Sequence, residues 1–193
     1  MAKIKWDPGT LLSPLPAALI SCGTMERPNI MTAAWTGIIS SDPPRAYVSV
    51  RPQRYSYELI KSSGVFVINV TTERLKFAAD YCGIKSGRDV DKFAACGLTA
   101  QKSFTVESPS IEESPVSIEC RVFDTLRLGS HDMFLADILS VSVEQALIDG
   151  NNRLEMEKAG VISYIHGEYF TSGKPIGHFG WTVKKNKKSE KRR

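Results

Sequence analysis

Short apolar stretches rich in β-branched residues recur along the chain, each closed off by Pro, Gly, Asn or Asp. That rhythm predicts strands rather than long helices. Strands are expected over 16–23, 30–40, 45–51, 65–71, 116–128, 132–143 and 160–170. In SIECRV, Ile118, Cys120 and Val122 alternate with Glu119 and Arg121, the pattern of a strand with one apolar and one polar face. Gly129-Ser130-His131-Asp132 then separates two long strand-like runs and reads as a hairpin turn. Helical pattern is confined to short pieces. One spans 56–62, with Ser56 as its N-cap and Gly64 as its stop. Two more, over 73–81 and 89–96, are joined through a polar loop, 82–88, that holds Cys82. Strands in hairpin order with a few short helices imply a mainly β fold with short α decoration, a closed or nearly closed antiparallel barrel.

Composition narrows the class. The 193 residues suit one substantial domain, and 42% hydrophobic with 24% charged residues is ordinary globular usage. No apolar run reaches the roughly 18 residues of a membrane span, and MAKIKWDPG lacks the apolar centre of a signal peptide, so a cytoplasmic setting is expected. The net charge of +4 is concentrated at one end. Residues 184–193 (KKNKKSEKRR) hold seven basic residues and one acid, so the other 183 carry 18 basic against 20 acidic residues, or −2. We expect one domain over 1–183 and a disordered basic tail over 184–193. The body has no basic pattern interleaved with aromatics, so nucleic acid is not an expected partner. Cys22, Cys82, Cys96 and Cys120 are widely spaced and form no CxxC, which fits buried free thiols rather than a zinc site or a disulfide framework.

Chemistry-bearing motifs are first conspicuous by absence. The chain has no P-loop, no dinucleotide fingerprint and no GxSxG elbow. His131, His166 and His178 are dispersed and give no metal spacing. Any chemistry would therefore come from a cofactor. Two stretches bear on which cofactor it would be. NIMTAAWTG, from Asn29, sets Thr32, Ala33, Ala34 and Thr36 around Trp35; such small residues fit tight barrel packing or the close approach of a flat ligand. In VSVRPQRYSYELI, Arg51 and Arg54 precede a helix start at Ser56. A helix N-terminus with two guanidinium groups suits an anion, although Ser56 also serves as a simple cap.

These stretches, with Ser41-Asp42-Pro43-Pro44, Gly64-Val65-Phe66-Val67-Ile68-Asn69, Ser86-Gly87-Arg88-Asp89, Asp91-Lys92-Phe93 and Gly129-Ser130-His131-Asp132, occur in order from about Pro14 to Gly177. Together they resemble the flavin reductase-like family of FMN-binding split barrels, and within it the flavoredoxin branch. The resemblance implies a Greek-key split β-barrel, a homodimer, and FMN held noncovalently. It implies that Met31, Thr32, Ala33, Ala34, Trp35 and Thr36 line the isoalloxazine, with Asn29 close by. Ser49, Val50, Arg51, Tyr55 and Ser56 would reach the ribityl chain and phosphate, and Lys92 would add a cation there. His131 is the candidate catalytic residue, beside the flavin, and Tyr164 approaches it from the interface side. The reductase branch commonly has Gly-Asp-His-Thr where this chain has Gly-Ser-His-Asp. That departure weakens an assignment to rapid NAD(P)H-driven reduction of free flavin. The implied activity is electron or hydride transfer through FMN, with NAD(P)H or a redox protein as partner. The alternatives are an NAD(P)H:flavin oxidoreductase serving a monooxygenase, and a planar-ligand barrel without redox duty.

Overall fold

The strand rhythm of the sequence becomes one large antiparallel sheet with two small ones, of three and of two strands, beside it. A computed structural model describes residues 1–183; segment 184–193, and with it the expected disordered tail, lies outside the described residues. The first strands are β1 (Leu15–Pro16), β2 (Ala18–Gly23), β3 (Pro28–Ala33), β4 (Thr36–Ser41) and β5 (Pro44–Val50). Helix α1 (Tyr55–Ser63) and β6 (Val65–Asn69) follow, then α2 (Lys76–Ile84) and α3 (Lys92–Cys96). The chain continues through β7 (Ala100–Gln101), β8 (Ser110–Ile111), β9 (Val116–Arg127), β10 (Asp132–Val143), β11 (Ile162–Ile165) and β12 (Glu168–Thr171).

The seven-stranded sheet runs β3-β2-β6-β9-β10-β5-β4. Its strands nearest the two ends share one interior: Met31 and Ala33 of β3 belong to the same buried cluster as Ala46, Val48 and Val50 of β5, with Phe66, Phe134 and Ile60 of α1. The sheet therefore curls around its core. It does not close, because β3 pairs only with β2 and β4 only with β5. The fold is mainly β, a split barrel. A second cluster, with Leu19, Ile30, Leu75, Ala78, Cys82 and Phe93, packs α2 and α3 against the outside of β2 and β3. Burying a large side chain such as Phe134 stabilises by roughly 1.5–3 kcal/mol relative to leaving it exposed.

Several expected elements differ in outcome. Residues 30–40 are two strands, because Ala33 ends the ladder with β2 and Thr36 begins the ladder with β5. Ala34 and Trp35 carry the chain across the split. Residues 160–170 form a hairpin, β11–β12, turning at His166 (φ 46°) and Gly167 (φ 96°). The cap of α1 is Arg54, not Ser56, which lies buried inside the first turn. Cys82 sits in α2 and is buried, not in a polar loop. Lys92 opens α3, capped by Asp91, whose Oδ1 accepts from Ala94 N–H. The hairpin at 129–132 forms as expected, with Asp132 opposite Arg127 and Gly129 at φ 88°.

Glu119 reverses the alternation expected of β9. Its carboxylate is buried because segment 102–109 straps over it, and it accepts from Phe104 N–H (2.8 Å), Thr105 N–H (2.6 Å) and the Thr105 hydroxyl (2.5 Å). Glu119→Ala would orphan two backbone donors and a hydroxyl. It is expected to cost roughly 2–3 kcal/mol, read as an earlier urea or thermal transition.

Candidate functional site

The split in the barrel is where the site lies. As an edge strand, β3 has one side free of ladder partners, and Thr32 ties that side to α2 by donating its hydroxyl to Ala79 O (2.5 Å). The alternation of β3 sends Met31 and Ala33 into the core while Thr32 faces α2, so tight packing accounts for part of the small-residue run. The rest of that run opens onto a slot of about 430 Å³. Its lining brings together Met31, Thr32, Ala33 and Ala34, Ser49, Val50 and Arg51 from the end of β5, and Ala17 and Tyr164. Ser49 N–H donates to Trp35 O (2.9 Å), which fixes Trp35 where the two edge strands part. The Trp35 and His131 rings meet at 4.5 Å between centroids, tilted 51°, and stand together at the slot's rim.

A second chamber of about 470 Å³ adjoins the slot; Met31, Arg51 and Arg54 line both. Five cations surround it, Arg51, Arg54, Lys85, Arg88 and Lys92, with Ser56, Ser86 and Ser130 and no carboxylate among its lining residues. The opening turn of α1 is there too, and the first N–H groups of a helix lack helical acceptors. This donor set is built for an anion.

Lys92 is the buried member. It is 4% exposed, and its ammonium donates to Cys82 O (3.3 Å) and Lys85 O (3.1 Å) at the end of α2, leaving a third proton for the chamber. Burial lowers its pKa, partly offset by the neighbouring Cys82 and Cys22, while Arg54 lowers it further. The His131 pKa is also lowered, first by burial and then by Arg51 and Arg54, so the imidazole is neutral at neutral pH and acts through N–H or lone pair rather than charge. Ser130 Oγ lies 2.9 Å from His131 Nδ1, and the buried Asp132 beside it accepts from Tyr57 O–H (2.7 Å), which anchors the turn to α1.

Of the residues singled out in the sequence, Met31 to Trp35, Ser49, Val50, Arg51, His131 and Tyr164 line the slot, and Tyr55, Ser56 and Lys92 line the anion chamber. Asn29 and Thr36 line neither. Asn29 is a buried brace whose Nδ2 donates to Ser56 Oγ (2.8 Å) and Cys22 Sγ (3.4 Å), and Thr36 donates its hydroxyl to Tyr47 O (2.6 Å). Sequence reasoning missed Lys85, Ser86 and Arg88 as site residues, although the Ser-Gly-Arg-Asp motif that contains two of them was in view. It also missed Asp80 and Tyr169, which line the slot. Gly87 belongs to the same loop for a steric reason: a Cβ there would run into Asn29 Oδ1 and the Tyr55 ring. Gly87→Ala is therefore expected to displace Asn29 from Ser56 and weaken inorganic phosphate binding about tenfold by calorimetry.

The family model for the flavin reductase like domain matches residues 11–171. The chain belongs to the flavin reductase-like family. A protein of Archaeoglobus fulgidus is 37% identical over 139 residues, 72% of this chain and 78% of its own. Among solved structures, flavoredoxin of Desulfovibrio vulgaris (Miyazaki F) superposes with a TM-score of 0.88 at 31% identity, covering 95% of this chain and all of its own. An FMN-binding protein from Thermus thermophilus, solved with bound 1-cyclohex-2-enone, matches with a TM-score of 0.75 at 26% identity over 91% of this chain and all of its own. The cation-only chamber suits a terminal phosphate, and the narrow slot with its free strand edge suits a ring bearing a line of carbonyl and N–H groups. The residues present fit FMN.

Proposed function

We infer that this protein is an FMN-binding redox protein of the flavoredoxin kind, holding its flavin as a cofactor and passing electrons or hydride between partners. The observation that carries the reading is the continuity of a carboxylate-free, five-cation chamber with a slot of small residues through Met31, Arg51 and Arg54. Bound FMN supplies one- and two-electron transfer. The chain's part is binding, orientation and tuning. Ser56, Arg51, Arg54 and Lys92 would hold the phosphate, with Lys85, Ser86 and Arg88 closing the chamber's outer side. The β3 edge and Trp35 would fix the ring plane and limit water at the rim. Arg51 and Arg54 favour negative charge nearby, while neutral His131 offers a hydrogen bond without a competing charge. Accordingly, His131→Ala is expected to change the flavin's reduction rate or midpoint potential more than FMN affinity. Wild-type values of both rate and potential in the variant would remove His131 from the mechanism.

A homodimer belongs to the same proposal. Strands β4, β9 and β10 leave Ile38, Ile39, Phe123, Leu126 and Val141 exposed, apolar residues a second copy would cover. Among the described residues no helix is long and apolar enough to cross a membrane. A reducing, cytoplasmic setting suits the free cysteines.

The test is an absorbance spectrum after desalting, followed by anaerobic titration with NADH and NADPH. Bands near roughly 375 and 450 nm that survive desalting are expected for a retained flavin. Bleaching by a nicotinamide would mark a nicotinamide-dependent oxidoreductase, and bleaching only by dithionite or a reduced protein an electron carrier. Flavin lost on desalting but turned over rapidly with NAD(P)H would favour a flavin oxidoreductase that uses it as substrate. A protein that stays colourless with added FMN would overturn the flavin reading.

A further inference from the structure

The thiols of Cys82 and Cys96 lie 3.8 Å apart, Sγ to Sγ, across the contact between α2 and α3. Neither is a spectator by position. Cys82 lines the anion chamber, and Cys96 follows Lys92 by one helical turn, so both side chains of α3 face α2. The Lys92 ammonium spans the same contact, bonded to Cys82 O and Lys85 O. The two sulfurs are unequal: Cys82 is buried, while Cys96 is half-buried at the last residue of a five-residue helix, just before Gly97. One thiol thus meets solvent on an element short enough to adjust, and the other waits behind it.

We propose that Cys82 and Cys96 form a reversible disulfide on exposure to peroxide, and that its formation loosens the Lys92 side of the anion chamber. Cys96 Sγ, as thiolate, attacks the peroxide; the O–O bond breaks, water or an alcohol leaves, and Cys96 becomes a sulfenic acid. Cys82 Sγ then displaces the hydroxyl, the S–S bond forms, and a second water leaves. Two electrons have passed from the thiol pair to the peroxide, and a small dithiol returns them. Burial raises the pKa of both thiols, that of Cys82 to about 12, so the reaction quickens as pH rises. Bonding requires the sulfurs to close by about 1.8 Å. That movement draws α3 along α2, and Lys92, bonded across the same contact, moves with it. The disulfide stands on the thiol geometry alone; its effect on a bound flavin rests on the function proposed above.

The experiment treats the full-length protein with hydrogen peroxide, then measures free thiols, intact mass and the masses of proteolytic peptides. Expected are the loss of two thiols, a mass decrease of about 2 Da and a peptide joining Cys82 to Cys96, all reversed by dithiothreitol. Affinities for inorganic phosphate and FMN are expected to fall about tenfold on oxidation, and to be unchanged by peroxide in Cys96→Ser and Cys96→Ala. Oxidation of Cys96 without a cross-link, or no loss of thiols, overturns the disulfide. A cross-linked protein whose phosphate and FMN affinities equal those of the reduced form overturns its coupling to the chamber. Failure of even the reduced protein to bind FMN counts against the flavin reading instead, while the thiol count and phosphate titration still judge this one.

Discussion

Lys92→Met should weaken FMN binding by roughly 10- to 100-fold, the range set by losing one charge-assisted hydrogen bond worth about 1.5–3 kcal/mol. The other cations of the chamber, Arg51, Arg54, Lys85 and Arg88, are exposed, so solvent screens each of them and loss of any one is shared by its neighbours. Lys92 is enclosed, already oriented by two carbonyls, and needs little reordering to meet a phosphate. Methionine keeps most of the chain's volume but leaves Cys82 O and Lys85 O without their donor, so a modest loss of stability should accompany the loss of affinity. A melting curve separates the two: folded protein with weakened binding is the expected outcome. The placement of Lys92 on the phosphate would be abandoned if the folded variant bound FMN as the wild type does. Ser56→Ala is expected to do less, because Asn29 and the α1 N-terminus would still shape that wall.

Much of this arrangement is legible in the sequence, and the reasons the rest is not are physical. The β9–β10 hairpin follows from local alternation and turn chemistry, which need no knowledge of distant residues. The break at Ala34–Trp35 has no local signature: apolar residues continue across it, and only the pairing partner changes, from β2 to β5. The helix expected over 73–81 stops three residues before α2 does, because DYCGIKSG looks polar. Yet Leu75, Ala78, Ala79 and Cys82 repeat at helical spacing, a signal that would have buried Cys82 and suggested its contact with α3. Strand alternation turns Glu119 to solvent because it cannot see segment 102–109, distant in sequence, whose Phe104 and Thr105 cover the carboxylate. The site was legible where one segment carries it, as in NIMTAAWTG and Arg51 to Ser56. It was obscure where segments meet. Asn29 reads as a ligand contact in a linear motif, and only the fold turns it toward Ser56 and Gly87. Lys92 reads equally well as a solvated helix lysine until α2 is packed over it.

Burial of Lys92 should also make affinity for FMN depend on pH in a defined direction. Its pKa lies below the usual lysine value of about 10.4, chiefly because burial disfavours the ammonium. The charged form is the one that attracts a phosphate. Affinity should therefore be level while free Lys92 is protonated and decline as pH rises through its lowered pKa, by up to about tenfold per unit. That decline should begin at a pH where an exposed lysine would still be charged. An anion beside Lys92 restores the ammonium, so its pKa is higher in the complex, and between the two values binding must take up a proton. On the acid side, affinity should fall below about pH 6 as the phosphate itself gains a proton. His131 adds nothing to that arm until more acidic pH, because burial, Arg51 and Arg54 hold it neutral. Calorimetric titration of FMN in buffers of different ionisation enthalpy reads the proton uptake directly. In Lys92→Met the alkaline decline and the uptake should both vanish while the acid arm remains. Parallel alkaline arms in the two proteins would show that the titrating group is another, and that the buried ammonium does not touch the phosphate.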